Sequence, residues 1–232
     1  MNGNTFSGGD FVGNMVSGSH NTAGDVTQHA APARQSARQP AGARTNRVGF
    51  VVDVVSYGER SAPQQERVQS RLQALLRTVV ADVGDDFDEV DHDGGTGDGL
   101  VVFLPTGGDP TTLLPALLRS VATRLAEDNS VFQDRMRLRM AVGSGLVSRG
   151  GNGFAGPLVI NISRLVDSEP LRRAVVDNPD ADLVVLVLDV LHREVVAPGY
   201  LPLASDRFQL VDVQLKEFAD RAWLWVSIPH GW

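Results

Sequence analysis

The sequence predicts an α+β domain in which helices cover a mainly antiparallel sheet, and three observations carry that expectation. β-Branched apolar runs recur at "VGFVVDVV", "LVVFLP" and "DLVVLVL", the lengths and residue types of buried strands. Between them, Val68, Leu72, Leu75, Leu76, Val79 and Val83, and later Leu114, Leu117, Leu118, Val121 and Leu125, recur at helical spacing and give two amphipathic helices. The elements follow in the order β-α-β-β-α-β, with further elements appended.

Residues 1–46 differ in kind from the rest. "NTFSGGDFVGNMVSGSHNTAGDVTQ" is a loose Gly/Asn/Ser pattern carrying Phe6, Phe11, Val12, Val16 and Val26, and "AAPARQSARQPAGARTN" reads as a Pro/Ala/Arg linker. So few apolar residues do not offset the entropy of ordering, so disorder is expected. The Gly-flanked Phe and Val of residues 1–28 also suit short strands that pair with a protein partner or with copies of themselves.

A domain is expected over residues 47–232. It opens on the strand "RVGFVVDVV" and the first helix, followed by an acidic strand and turn from Phe87 to Gly97 and the strand "LVVFLP". Asp109-Pro110 supplies a cap and an N-terminal proline for the second helix. "RMRLRMAVGSGLV" alternates Arg with apolar residues, as a half-buried antiparallel strand does. A Gly-rich turn, a helix over 161–176, the strand "DLVVLVL", a short helix and the closing strands "RFQLVDVQL" and "RAWLWVSIP" complete the pattern.

Composition excludes several classes of function. The chain has 232 residues, 42% of them hydrophobic, which is enough for a sizeable core. A net charge of −7 argues against non-specific nucleic-acid binding. Cys is absent, so disulfides, thiolate metal sites and cysteine nucleophiles are excluded. The longest apolar stretch, "LVVLVLDVL", is interrupted by Asp189 and falls short of the ~20 residues that span a bilayer. The N-terminus lacks the basic-then-apolar order of a signal peptide, and a cytoplasmic protein with no membrane partner is expected.

The chemistry-bearing stretch is "GGTGDGLVVFLP", where Asp98 stands among Gly94, Gly95, Gly97 and Gly99 at the mouth of an apolar strand. Asp53 likewise stands near the end of the first strand, where an Asp serves as a metal ligand, a helix cap or an Arg partner. An Asp between glycines is otherwise a turn residue. Glu89, Asp91, Asp93 and Gly94 echo the start of a calcium loop, but its bidentate Glu would fall on Leu100, so that reading fails. His20, His92, His192 and His230 show no metal spacing.

Three stretches together resemble the class III nucleotide cyclase catalytic domain, the family of adenylate and guanylate cyclases. "FVVDVVSYGERS" is similar to the family's first metal-binding strand and turn, with Asp53 as metal ligand and Ser56-Tyr57-Gly58 in place of the usual Gly-Phe-Thr turn. "GTGDGLVVF" is similar to the hairpin carrying the second metal aspartate, here Asp98. "GPLVINISRLVDS" resembles the helix that supplies a transition-state Asn and Arg, which maps to Asn161 and Arg164. "LKEF" is similar to the closing Leu-Lys-Gly, which maps the triphosphate lysine to Lys216, the only lysine of the chain.

The resemblance implies a ferredoxin-like nucleotide cyclase fold that forms a homodimer, with each site built across the two-fold axis. It implies Mg²⁺ or Mn²⁺ held by Asp53 and Asp98, and Ser56, Tyr57, Gly97 and Lys216 around a nucleoside triphosphate that is converted to a 3′,5′-cyclic nucleotide and pyrophosphate. Two such ions would lower the pKa of the 3′-hydroxyl and clamp the triphosphate oxygens.

The departures are as informative as the matches. Counting back from Arg164 without a gap puts Ile160 in the Asn place, and Asn161 reaches it only if the helix start shifts by one residue. The base-reading Lys of adenylate cyclases falls on Gly94, its partner Asp falls on Gly153 or Phe154, and the guanine-reading Glu is missing. The triphosphate apparatus is partly kept and the base-reading apparatus is gone. This pattern points to a regulatory or weakly active cyclase-like domain. An active cyclase of unusual base specificity, or a non-catalytic dimerising scaffold that recruits a partner through residues 1–28, are the alternatives. An RNA-binding ferredoxin-like domain is rejected, because the central strands carry acid and aliphatics rather than exposed aromatics on a basic face.

Overall fold

The computed structural model describes residues 43–228 apart from 89, 94–96, 152, 200–204 and 216–217. The expectations for residues 1–28, for most of the linker and for Lys216 therefore lie outside the described residues.

The first strand, β1 (Thr45–Val54), leads through a 3-10 turn at Tyr57–Glu59 into helix α1 (Ala62–Asp82). Strands β2 (Asp91–Asp93) and β3 (Gly99–Phe103) form a hairpin, and helix α2 (Pro110–Val131) follows. Strand β4 (Leu138–Gly150), the short β5 (Gly153–Ala155), helices α3 (Pro157–Val166) and α4 (Glu169–Asp177) and strand β6 (Leu183–Leu188) come next. The chain closes with α5 (Asp189–Leu191), a π-helical turn (His192–Val196), a 3-10 turn (Ser205–Arg207) and the hairpin β7 (Gln209–Leu215) and β8 (Phe218–Val226).

The strands form one sheet in the order β2-β3-β1-β4-β6-β8-β7, with β5 folded back on β4. All pairings are antiparallel except β4 with β6. The predicted α+β class, a mainly antiparallel sheet with helices packed on it, is the fold observed.

Period-two alternation divides the interior between the two faces of the sheet. Val48, Phe50, Val52 and Val54 of β1 point into a core filled by α1 and α2, with Leu76, Val79, Leu117 and Val121 among its members. Val51 points the other way, into a second core with Leu158, Ile162 and Leu165 of α3 and Leu171 and Ala174 of α4.

Local signals explain the helix ends. The Ser61 amide donates to Gln64 Oε1 at 2.8 Å, half of a capping box that starts α1. Asp109 Oδ1 accepts from the Thr111 amide at 2.9 Å at the start of α2.

The single helix expected over 161–176 is two helices. α3 begins earlier, at Pro157, and ends at Val166. α4 starts at Glu169, with Ser168 at its N-cap and Pro170 in its first turn. A proline inside a continuous helix would lose an amide bond and clash with the carbonyl four residues back, so the chain breaks there. The buried Ser168 hydroxyl donates to the Leu165 carbonyl at 2.7 Å and helps close α3.

Candidate functional site

The candidate site is a corner of the sheet where β1 ends, β3 begins and β4 begins. Asp53 is directly opposite Gly99 on β3 and Arg139 on β4. One residue further on, the Val54 amide donates to the Asp98 carbonyl at 2.9 Å, so the two predicted aspartates stand on adjacent backbones, one position out of register.

The register makes Gly99 necessary. A Cβ there would lie 2.7 Å from the Val52 carbonyl oxygen and 3.8 Å from Asp53 Oδ1. Gly97 is needed for a different reason: its φ is +97°, a left-handed conformation that a side chain strains. Together these two glycines account for the bare backbone around Asp98.

The turn after β1 completes the corner. Ser56 adopts a left-handed φ of 55°, the one non-glycine residue to do so among those described, and it is exposed. Tyr57 packs its ring against the main core, and its hydroxyl accepts from Gln69 Nε2 at 2.6 Å. Asp53, Ser56, Tyr57, Gly97 and Asp98 are thus brought together by one strand end, one turn and one hairpin.

Arg164 and Asn161 stand on a separate element, α3. Its start at Gly156 abuts Leu146 and Val147, towards the end of β4 remote from Asp53. The helix lies on the sheet face that carries Val51 and Asp53. Arg164 is exposed in its last turn and Asn161 is half-buried. Ile160, one helical turn before Arg164, is 50% exposed, so an aliphatic side chain shares the exposed stripe with Arg164.

A residue missed by sequence reasoning changes the electrostatics of the corner. Arg139 Nη2 donates to Asp53 Oδ2, and the two side chains are only 18% and 14% exposed. Arg139 Nε is buried without a hydrogen-bond partner. Burial pushes the Arg139 guanidinium below its ordinary pKa, the nearby positive charge of Arg172 adds to that, and Asp167 opposes it.

The signal was present in "RMRLRM". Met136, Leu138 and Met140 enter the α1–α2 core, which sends Arg137 and Arg139 to the opposite face. That face is not solvent, because α3 and α4 cover it. Arg137 meets the cover by donating to the carbonyls of Val175, Asn178 and Ala181, and Arg139 meets it through Asp53.

No protein-family model and no curated protein sequence matches the chain. Solved structures do. An adenylate/guanylate cyclase/hydrolase from Silicibacter pomeroyi superimposes with a TM-score of 0.58 at 19% identity, over 80% of this chain and 99% of that one. The adenylyl cyclase CyaB from P. aeruginosa gives 0.55 at 14% identity, over 82% and 96%. The guanylate cyclase domain of RhGC from Catenaria anguillulae, determined in complex with GTP, gives 0.51 at 12% identity, over 80% and 98%.

The chain has the nucleotide cyclase fold. Nearly the whole of each cyclase chain is matched, over about four-fifths of this chain. Within this cyclase-like domain, the backbones of Asp53 and Asp98 lie side by side at neighbouring strand ends.

Among the described residues, no group of three or more His, Asp or Glu side chains could hold a metal ion by itself. Mg²⁺, however, is commonly held by one or two carboxylates together with substrate phosphates rather than by an all-protein cage. Asp53 Oδ1 and the Asp98 carboxylate are hard oxygen donors of that kind, and Arg139 engages Asp53 through the other oxygen. The residues present fit a metal–nucleotide complex and not a free-standing metal centre.

Proposed function

We propose that this cyclase-fold domain binds a nucleoside triphosphate at the Asp53–Asp98 corner and acts as a dimerising regulatory module with slow turnover or none. The observation that carries this reading is the Asp53–Arg139 ion pair, half-enclosed at the strand ends where the cyclase resemblance puts the phosphates. An anionic triphosphate finds a partly exposed guanidinium there, whose buried Nε has no hydrogen-bond partner. It also finds the turn at Ser56 and Tyr57 and the bare backbone of Gly97 and Gly99.

Asp53 and Asp98 would hold a divalent cation, Mg²⁺ or Mn²⁺, which when bound neutralises triphosphate charge. This chain's own residues do the remainder. Arg139 holds the Asp53 carboxylate through Oδ2, and Gly99 places no side chain beside Oδ1. Arg164 would reach the site from the partner of a homodimer, with Lys216 completing the triphosphate contacts.

Slow turnover follows from α3. A polar donor to the transition state is worth about 10²–10³ in rate, and the exposed stripe one turn before Arg164 carries Ile160 instead. No base-reading Lys, Asp or Glu stands at the positions the resemblance assigns. Nucleotide is therefore held by its phosphates more than by its base, and the bound state itself is the signal.

The test is purified protein with Mn²⁺ and each of the four ribonucleoside triphosphates, measured for binding by calorimetry and for cyclic nucleotide by chromatography. The expected result is saturable binding with little discrimination between bases and little or no cyclic product. Absence of binding overturns the nucleotide reading in favour of a scaffold, and rapid turnover overturns the regulatory one. A monomer in sedimentation at high protein concentration overturns the dimer.

A further inference from the structure

Two glutamines one turn apart on α1 grip the turn that follows Asp53. Gln65 Nε2 donates to the carbonyl oxygens of Tyr57, at 3.3 Å, and Arg60, at 3.1 Å. Gln69 Nε2 donates to the Tyr57 hydroxyl at 2.6 Å. The same Gln69 nitrogen lies 2.5 Å from the place a Cβ on Gly97 would take, and the Tyr57 hydroxyl lies 3.7 Å from it. The amide of Gln69 therefore fills the volume that the absent side chain of Gly97 leaves. One side chain touches both the turn after Asp53 and the hairpin before Asp98.

The hairpin needs such a tie. Gly97 holds a φ of +97°, and a glycine there has the largest entropy of ordering of any residue. β2 and β3 are short, three and five residues, and β2 is an edge strand, so few ladder bonds hold the far side of the hairpin. On its near side, the Val54 amide bonds the Asp98 carbonyl at 2.9 Å. That bond ends the β1–β3 ladder, and the contact of Gln69 with Gly97 adds a side-chain tie beyond it.

We propose that Gln69 is a positioning residue: with Tyr57 it latches the Asp98 hairpin to the turn after Asp53 and so sets the spacing of the two aspartates for a metal–triphosphate ligand. The latch rests on the nucleotide reading given above for its purpose, though not for its existence. Its geometry explains both why residue 97 is glycine and why the turn carries a tyrosine whose hydroxyl faces α1.

The experiment uses the full chain and the variants Gln69→Ala, Tyr57→Phe and Gly97→Ala, with Gly97→Ala/Gln69→Ala as the double variant. Hydrogen exchange of the Val54 amide reads hairpin opening directly, because that amide bonds Asp98. Calorimetry reads the affinity for a non-hydrolysable triphosphate analogue with Mn²⁺. A net hydrogen bond corresponds to about a two- to tenfold change in an equilibrium constant, so Gln69→Ala and Tyr57→Phe should each speed Val54 exchange by about that factor. Both should weaken analogue binding by a similar factor while the melting temperature stays nearly constant.

Gly97→Ala should destabilise the wild-type background more than the Gln69→Ala background, since its Cβ meets the Gln69 amide only in the former. Val54 exchange unchanged in Gln69→Ala, or additive effects in the double variant, overturns the latch. Should the wild type bind no triphosphate, the nucleotide reading falls, and the exchange and double-variant results still decide whether the latch exists.

Discussion

Arg139→Gln removes one half of a pair whose other half, Asp53, is largely enclosed. Breaking a fully buried ion pair from one side costs about 3–5 kcal/mol, because the partner charge stays buried and uncompensated. Here the side chains keep 18% and 14% of their exposure, so water screens part of the loss and about 2–4 kcal/mol is expected. At this chain length 1 kcal/mol shifts the melting temperature by about 2–4 °C, so Arg139→Gln should lower it by about 5–15 °C. Asp53→Asn should also destabilise, since it leaves a second unpaired polar group next to the already orphaned Arg139 Nε. The double variant Asp53→Asn/Arg139→Gln removes both charges and should recover at least about 1 kcal/mol relative to the sum of the singles. Thermal and urea unfolding of the four proteins supply the cycle. Additivity within about 0.5 kcal/mol would refute the reasoning, because it would mean that the two side chains do not share a buried environment.

Three further outcomes are expected. His192 is 3% exposed and stacks on Trp223 at 3.6 Å, and neither ring nitrogen has a partner. Burial holds its pKa below the ordinary 6.5, against a smaller opposing pull from Asp189. The unfolded chain therefore binds the proton more readily, so stability is complete above about pH 6.5 and declines as pH falls from there through the folded pKa. Melting curves between pH 7.5 and 5 should show that decline in the wild type and lose most of it in His192→Phe; equal slopes would exclude His192 as its source. Ile160→Asn, at an exposed helical position, should leave stability within about 0.5 kcal/mol and raise cyclic-nucleotide formation at least tenfold, or about 10²-fold where a full transition-state donor is regained; unchanged product with intact binding would show that the Asn place does not limit turnover. Deleting residues 1–28 should leave the melting temperature unchanged and abolish assembly beyond the dimer, and unfolding of the deletion would make that segment part of the core.

The sequence by itself determined the layers and their order. Apolar runs of period two and amphipathic stripes of period 3.6 are local statements, so β1, β3, α1, α2, β4, β6 and the closing hairpin were legible as elements. The helix break at Ser168 was also written locally, in "DSEP", but the hydrophobic stripe running on from Ile162 to Val175 masked it. In the candidate site, Asp53 and Asp98 could be singled out because strand ends and glycine-flanked turns are visible in a linear chain. Their adjacency depends on the register of β1 with β3, which no local pattern records. Arg139 shows the limit most clearly. Its alternation with Met and Leu reads as a strand with one solvated face, and only the packing of α3 and α4 over that face turns an exposed arginine into a half-enclosed one that needs an anion. The anion is Asp53, 86 residues earlier in the chain. Partner choice among buried charges is set by which backbones the sheet brings side by side, and a desolvation cost of several kcal/mol arises only once the cover is in place. The same holds for Gln69, an unremarkable exposed residue of an amphipathic helix until the fold sets its amide against the bare Cα of Gly97.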